Sequence, residues 1–269
     1  VNVISIRGGS GLGDAIYVQS VARYLVEQGR RLEVCTSWPD AFRPIKDHVT
    51  FAPFRRQNIT HLAHYADRRG AVGTTQFEDC CIRAGVPKDI DLRLDWRPLN
   101  GGLVQQLLGI RRPIVVVQMP RAPFGRSDGQ YTEFAPRWGR VQQAIDLIGR
   151  RAFKIMVGSG APDVKYFGID LDLSNQTTVS DLIDVGFMAR GFIGQCSFII
   201  PLGESFRKPV QLIWSRAGLR SRHEVIRQMT PVKILHRSSS HAVIDDCSDS
   251  ELRQAVDVFC DQVGCAVAA

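Results

Sequence analysis

The chain contains no stretch of about 18 apolar residues, the length a helix needs to cross a bilayer, so no membrane-spanning helix is expected. Its first apolar run is broken by Arg7 and a glycine turn, which argues against a signal peptide. The seven cysteines, Cys35, Cys80, Cys81, Cys196, Cys247, Cys260 and Cys265, include no CxxC pair, so no zinc site is expected from them. Their number is odd and several lie in apolar runs, which suits buried thiols in a reducing compartment. No Gly-Lys-Ser/Thr follows the glycine-rich turn, so it is not a nucleotide-binding P-loop. Nor does an acid close the second strand as a dinucleotide fold requires; Glu33 lies too early. The G-x-S-x-G elbow is absent and Cys196 has no nearby histidine, so neither a serine triad nor a cysteine nucleophile is expected. His236 and His241 form no metal triad, and no metal site is expected.

What is present is a basic, core-forming sequence. The 269 residues are 44% hydrophobic and carry a net charge of +7, with a pI of about 9.2. That is enough for one large core or two smaller domains. The charge suits an anionic partner such as a nucleotide, a phosphorylated sugar, nucleic acid or a membrane surface. The arginine pairs are scattered where elements meet, as solvated surface residues are.

The periodicity alternates strand and helix, which predicts an α/β architecture with mostly parallel sheets. Strands are expected at Val1–Ile6, Leu32–Thr36 and Val49–Phe51, and helices at Ile16–Glu27 and 75–85. The pattern is weak through 55–100, and Pro98 to Gly102 reads as a turn. In the second half Pro113–Gln118 is a nearly continuous apolar run, the pattern of a central parallel strand covered on both faces. Further strands are expected at Ala152–Val157, Gly191–Gly194, Val210–Trp214 and Val232–Leu235. Helices are expected at Arg137–Ile148 and Val179–Ala189, and Ser248 with Glu251 forms a capping box for a last helix. The break near 101–112 divides the chain into an expected 1–110 domain and a 111–269 domain, whose strand ends share a cleft.

The residues able to carry chemistry cluster in loops after strands. Gly8-Gly9-Ser10-Gly11-Leu12-Gly13-Asp14 links the first strand to a helix, the arrangement by which α/β proteins present N–H groups to an anion. It reads equally as a tight structural turn. Asp14 is either an acid favoured by the helix dipole, worth about 0.3–1 kcal/mol, or a general base. The 119–138 loop offers Arg121 and Arg126 as a clamp for a diphosphate, and Lys165 is a further candidate cation. The segment after Gly194 offers backbone N–H groups and the Ser197 hydroxyl to a phosphate.

Two stretches resemble the ADP-heptose:lipopolysaccharide heptosyltransferase family. Gly11-Leu12-Gly13-Asp14-Ala15-Ile16 is similar to the family's Gly-Asp entry into its first helix. Thr178–Trp214 is similar to its helix, glycine-bearing strand, donor loop and following strand, with Lys208-Pro209-Val210 leading that strand. The resemblance implies a GT-B fold of two facing Rossmann-like domains. It implies metal-independent transfer of a sugar from a nucleotide-diphosphate co-substrate to a glycan or lipid-linked glycan, without another cofactor. It places the general base on Asp14 and keeps the donor-loop hydroxyl at Ser197; for such an enzyme the other expected donor-binding residues are Gly11, Gly13, Arg121, Arg126 and Lys165, which are proposed from their place in the turn and loops. A cytoplasmic, membrane-peripheral location is expected with it. The family's donor loop reads Asp-Ser/Thr-Gly and then His, whereas here the positions hold Cys196, Ser197, Phe198 and Pro201, so only the hydroxyl is kept. Two alternatives stand beside this reading. One is a glycosyltransferase that modifies nucleic acid, and the other a nucleotide- or sugar-binding protein without transfer.

Overall fold

A computed structural model describes residues 3–53, 59–62, 73–120, 136–160, 164–220 and 227–265. The first half builds one sheet. Its strands are β1 (Val3–Arg7), β2 (Arg31–Cys35), β3 (Val49–Ala52) and β4 (Thr60–His61), in the order β3-β2-β1-β4, and every pair is parallel. Helix α1 (Leu12–Glu27) follows β1, and α2 (Gln76–Ala84) follows β4. Helix α1 ends where Gly29 takes φ +75°, a backbone that side-chain-bearing residues rarely adopt. Thr75 caps α2 by accepting the Glu78 N–H, and the Glu78 carboxylate returns the bond to the Thr75 N–H.

The second half builds a larger parallel sheet, ordered β10-β9-β8-β5-β6-β7. Strand β5 (Ile114–Gln118) is buried at all five positions, as its apolar run requires, with β8 (Gly191–Gly194) and β6 (Phe153–Val157) on either side. The remaining strands are β7 (Leu171–Asp172), β9 (Val210–Trp214) and β10 (His241–Ile244). Helices α4 (Trp138–Ile148), α5 (Val179–Met188), α6 (Ile199–Ser205), α7 (Pro231–Ile234) and α8 (Asp249–Gln262) complete this half, and α3 (Gly101–Leu108) packs against α5. The α/β reading with mostly parallel sheets is correct. The expected strand at Val232–Leu235 is instead the short helix α7, with Pro231 at its first position, where a missing N–H costs nothing. The turn expected at Pro98–Gly102 leads directly into α3, capped by Asn100, whose side chain accepts the Leu103 N–H.

The two halves share one hydrophobic core, which runs from Ile6, Ile16 and Phe77 to Phe192, Leu202 and Ile234. The chain crosses between them through residues 91–100, which form neither helix nor strand. There the fully buried Asp184 of α5 accepts N–H bonds from the Trp96 indole at 2.6 Å, Leu99 at 3.0 Å and Asn100 at 2.9 Å. Asp91 pairs with Arg207 and Arg237 of the second half, at 2.6 and 2.8 Å. A nearly buried ion pair, Asp79–Lys233 at 2.5 Å, ties α2 to α7. No described helix is long and apolar enough to cross a membrane.

Candidate active site

A cavity of about 680 Å³ opens between the sheets. Its wall is built from the segments that leave the carboxyl ends of parallel strands: Ser10–Asp14 after β1, Gln118–Met119 after β5, Gly158–Ser159 after β6 and Cys196–Phe198 after β8. Open α/β sheets bind ligands at this edge. The first turn of α5 (Thr178 and Val179) and Asn175 add hydroxyl and amide groups, and Met119, Leu182, Ile200 and Met229 add apolar surface.

Asp14 lies half-buried in the first turn of α1, on the cavity wall. Its carboxylate accepts the Gly11 N–H at 3.3 Å, so this N–H is committed within the turn. Trp38 fixes the same turn from outside, since its indole N–H donates to the Ser10 carbonyl at 2.8 Å. Two glycines of the turn have packing reasons. A Cβ on Gly8 would stand 2.7 Å from Val18 Cγ2, because the turn folds back on α1. A Cβ on Gly13 would stand 3.1 Å from Pro201 Cγ and 3.4 Å from Phe198 Cα, because the start of α6 rests on the start of α1.

Ser197 is on the wall, and its hydroxyl donates to the Gln118 carboxamide oxygen. Gln118 was not identified from the sequence. It is the last residue of β5, and the apolar run before it hides its position at the cleft. Lys165 is not among the wall residues; its ammonium sits 2.5 Å from the Asp172 carboxylate, which holds Asp172 below its usual pKa. Arg121 and Arg126 lie outside the described residues. The structure therefore brings Asp14, Gly11, Gly13 and Ser197 together and leaves Lys165 apart. Among the described residues no three histidine, cysteine or acidic side chains are grouped to hold a metal ion.

Two Rossmann-like, mostly parallel sheets that share one cleft define the GT-B arrangement. No protein-family model matches the chain, and no curated protein sequence matches it. Solved structures do. The glycosyl transferase family 9 protein from Veillonella parvula DSM 2008 matches with TM-score 0.59 at 10% identity, over 98% of each chain. Heptosyltransferase WaaC of E. coli, solved with ADP-2-deoxy-2-fluoro heptose, matches with TM-score 0.56 at 10% identity, over 97% of this chain and 99% of its own. The iron-containing dodecameric glycosyltransferase TibC from enterotoxigenic E. coli H10407 matches with TM-score 0.57 at 16% identity, over 88% of this chain. This chain spans 61% of TibC's length. At these identities the likeness is one of fold, and the fold is the one implied by the heptosyltransferase resemblance.

Proposed function

We propose that the chain is a glycosyltransferase that moves a sugar from a nucleotide-diphosphate donor to a hydroxyl of a glycan or lipid-linked glycan. The observation that carries this reading is the position of Asp14, a carboxylate at the start of α1 on the wall of the cleft in a GT-B fold. In this reading residues 1–110 form the acceptor side and residues 111–269 the donor side, at a cytoplasmic, membrane-peripheral site. The heptosyltransferase whose structure holds an ADP-heptose analogue supports a nucleotide-sugar co-substrate.

The reaction is one displacement. The acceptor oxygen attacks the anomeric carbon, the bond from that carbon to the phosphate oxygen breaks, and the nucleoside diphosphate leaves with the electron pair. Asp14 takes the acceptor proton. A carboxylate of ordinary basicity is competent because the hydroxyl becomes acidic as its new bond forms. Charge on the leaving group is met by Arg121 and Arg126 and by the polar pair Ser197–Gln118. With arginines in this role the transfer is metal-independent.

The test is turnover of a nucleotide-sugar panel with pooled glycan, lipid-linked glycan and hydroxymethylated DNA acceptors, read by mass spectrometry. Donor consumption with the sugar mass on a glycan or lipid-linked glycan supports the reading. Transfer to DNA replaces the acceptor class. Donors that bind while no sugar moves make the chain a binding protein.

A further inference from the structure

Tyr17 has no part in the mechanism above, yet it lies on the wall of the same cavity. It follows Asp14 by three residues on α1, so both side chains leave the same helix face. The residue is 3% exposed. Its ring is tilted against Phe77 with centroids 5.8 Å apart, and His236 from the second half meets Phe77 edge-on at 5.0 Å. The phenol is thus braced through both halves of the molecule.

Its hydroxyl makes no hydrogen bond among the described residues. A buried tyrosine hydroxyl ordinarily finds a partner. Ser20, further along α1, has one, for its hydroxyl donates to the Arg93 carbonyl at 3.0 Å. Tyr17 therefore keeps its hydrogen-bonding capacity for what enters the cavity. Burial, followed by the nearby Glu204, Cys80, Cys196 and Asp14, raises its pKa well above the usual value near 10, so the phenol is a neutral donor at working pH. Beside the turn stands Trp38, a flat amphipathic wall fixed by its bond to Ser10.

We propose that Tyr17 is an acceptor-binding residue, whose hydroxyl holds a second hydroxyl of the acceptor next to the one that Asp14 deprotonates. The acceptor then presents a diol to α1, as a pyranose ring does and a solitary lipid or serine hydroxyl does not. Trp38 supplies the surface against which the ring lies. This inference rests on the transferase reading, but its test is a binding measurement that needs no donor.

The probes are methyl gluco-, galacto- and mannopyranosides with their monodeoxy derivatives, titrated by NMR into the full chain labelled at the tyrosine ring carbons. Tyr17→Phe keeps the contact with Phe77 and removes one oxygen. The best pyranoside should shift the Tyr17 signal and lose about tenfold in affinity for Tyr17→Phe, the loss of one neutral hydrogen bond. One deoxy derivative should bind the unaltered protein as weakly as its parent binds the variant, and the variant should not distinguish the two. A purely structural role would lower the melting temperature and leave that discrimination in place. Equal affinities in both proteins, or no pyranoside binding to the unaltered protein, overturn the inference. Transfer of a sugar onto an acceptor that lacks a diol also overturns it while the transferase reading stands. Pyranoside binding through Tyr17 without any donor turnover removes the transferase reading and leaves the diol site.

Discussion

Removing the Asp184 carboxylate should loosen the cleft from behind. Asp184 is 0% exposed and accepts three N–H groups from the crossing segment, the Trp96 indole at 2.6 Å, Leu99 at 3.0 Å and Asn100 at 2.9 Å. In Asp184→Ala these donors lose a charged acceptor, each bond being worth about 1.5–3 kcal/mol. The indole bond is buried and counts in full. Water reaches the two part-buried backbone groups and recovers roughly half of theirs, so the expected loss is about 4 kcal/mol. With an m-value of about 3 kcal/mol/M, the urea midpoint should fall by about 1.3 M. Asp184→Asn keeps one acceptor oxygen for the indole but turns an amide toward two N–H groups, and should lose about 2 kcal/mol. Helix α5 carries this residue, and its first turn lines the cavity, so the substitution should also weaken ligand binding below the unfolding transition. A midpoint shift under about 0.3 M for Asp184→Ala, roughly 1 kcal/mol, would show that the crossing segment is not held by these bonds.

Asp14→Asn should reduce transfer by about 10²–10⁴-fold while donor affinity and melting temperature hold, as expected for loss of a general base; near-normal turnover with intact folding assigns the base elsewhere. Lys165→Ala should leave donor affinity and turnover unchanged in calorimetry and initial-rate assays, because its ammonium is paired with Asp172 away from the cavity wall. Gly191→Ala should cost about 2–3 kcal/mol in urea unfolding, as an added Cβ would meet Val263 Cγ1 at 2.4 Å and Phe259 at 2.9 Å. Burial lifts Glu204 from 4.5 to about 7, although the N–H groups of Arg237 and His236 donate to it. The folded state therefore binds the extra proton, and this stabilisation is complete below pH 4.5 and lost as pH rises through about 7. Asp91 has a lowered pKa and acts with the opposite sign, so the readout is the difference between the unaltered protein and Glu204→Gln, which should lack that slope.

The sheet centre was legible because its cause is local. A strand buried on both faces needs an unbroken apolar run, and Ile114–Val117 is one. The cap of α8 depends only on residues three apart, and Ser248 with Glu251 forms the expected reciprocal pair. Val232–Leu235 misled because four residues carry too little periodicity to separate strand from helix. The better signal was Pro231 after Thr230, which opens a helical turn. The candidate site was legible only where a turn announces it. Asp14 ends a glycine-rich turn, whereas Gln118 and Tyr17 belong to elements whose neighbours are core residues, and nothing local separates a tyrosine in a core from one at a cavity.

The donor loop shows how a motif can change while its fold persists. The resemblance places glycine and histidine where this chain has Phe198 and Pro201, and a Cβ on Gly13 would meet the Pro201 ring and the Phe198 backbone. The start of α6 therefore rests on the start of α1, with the Pro201 side chain at the contact. The Ser197 hydroxyl, the one group kept from that motif, is directed to Gln118 on the neighbouring strand. Under the proposed transfer, phosphate recognition would fall to the adjoining wall, the Gln118 amide and the hydroxyls around the first turn of α5. The same contact has a second consequence. By seating α6 on α1 it fixes the helix that carries Asp14 and Tyr17, so the two groups to which the proposals above give the acceptor would be positioned by the opposite half of the molecule.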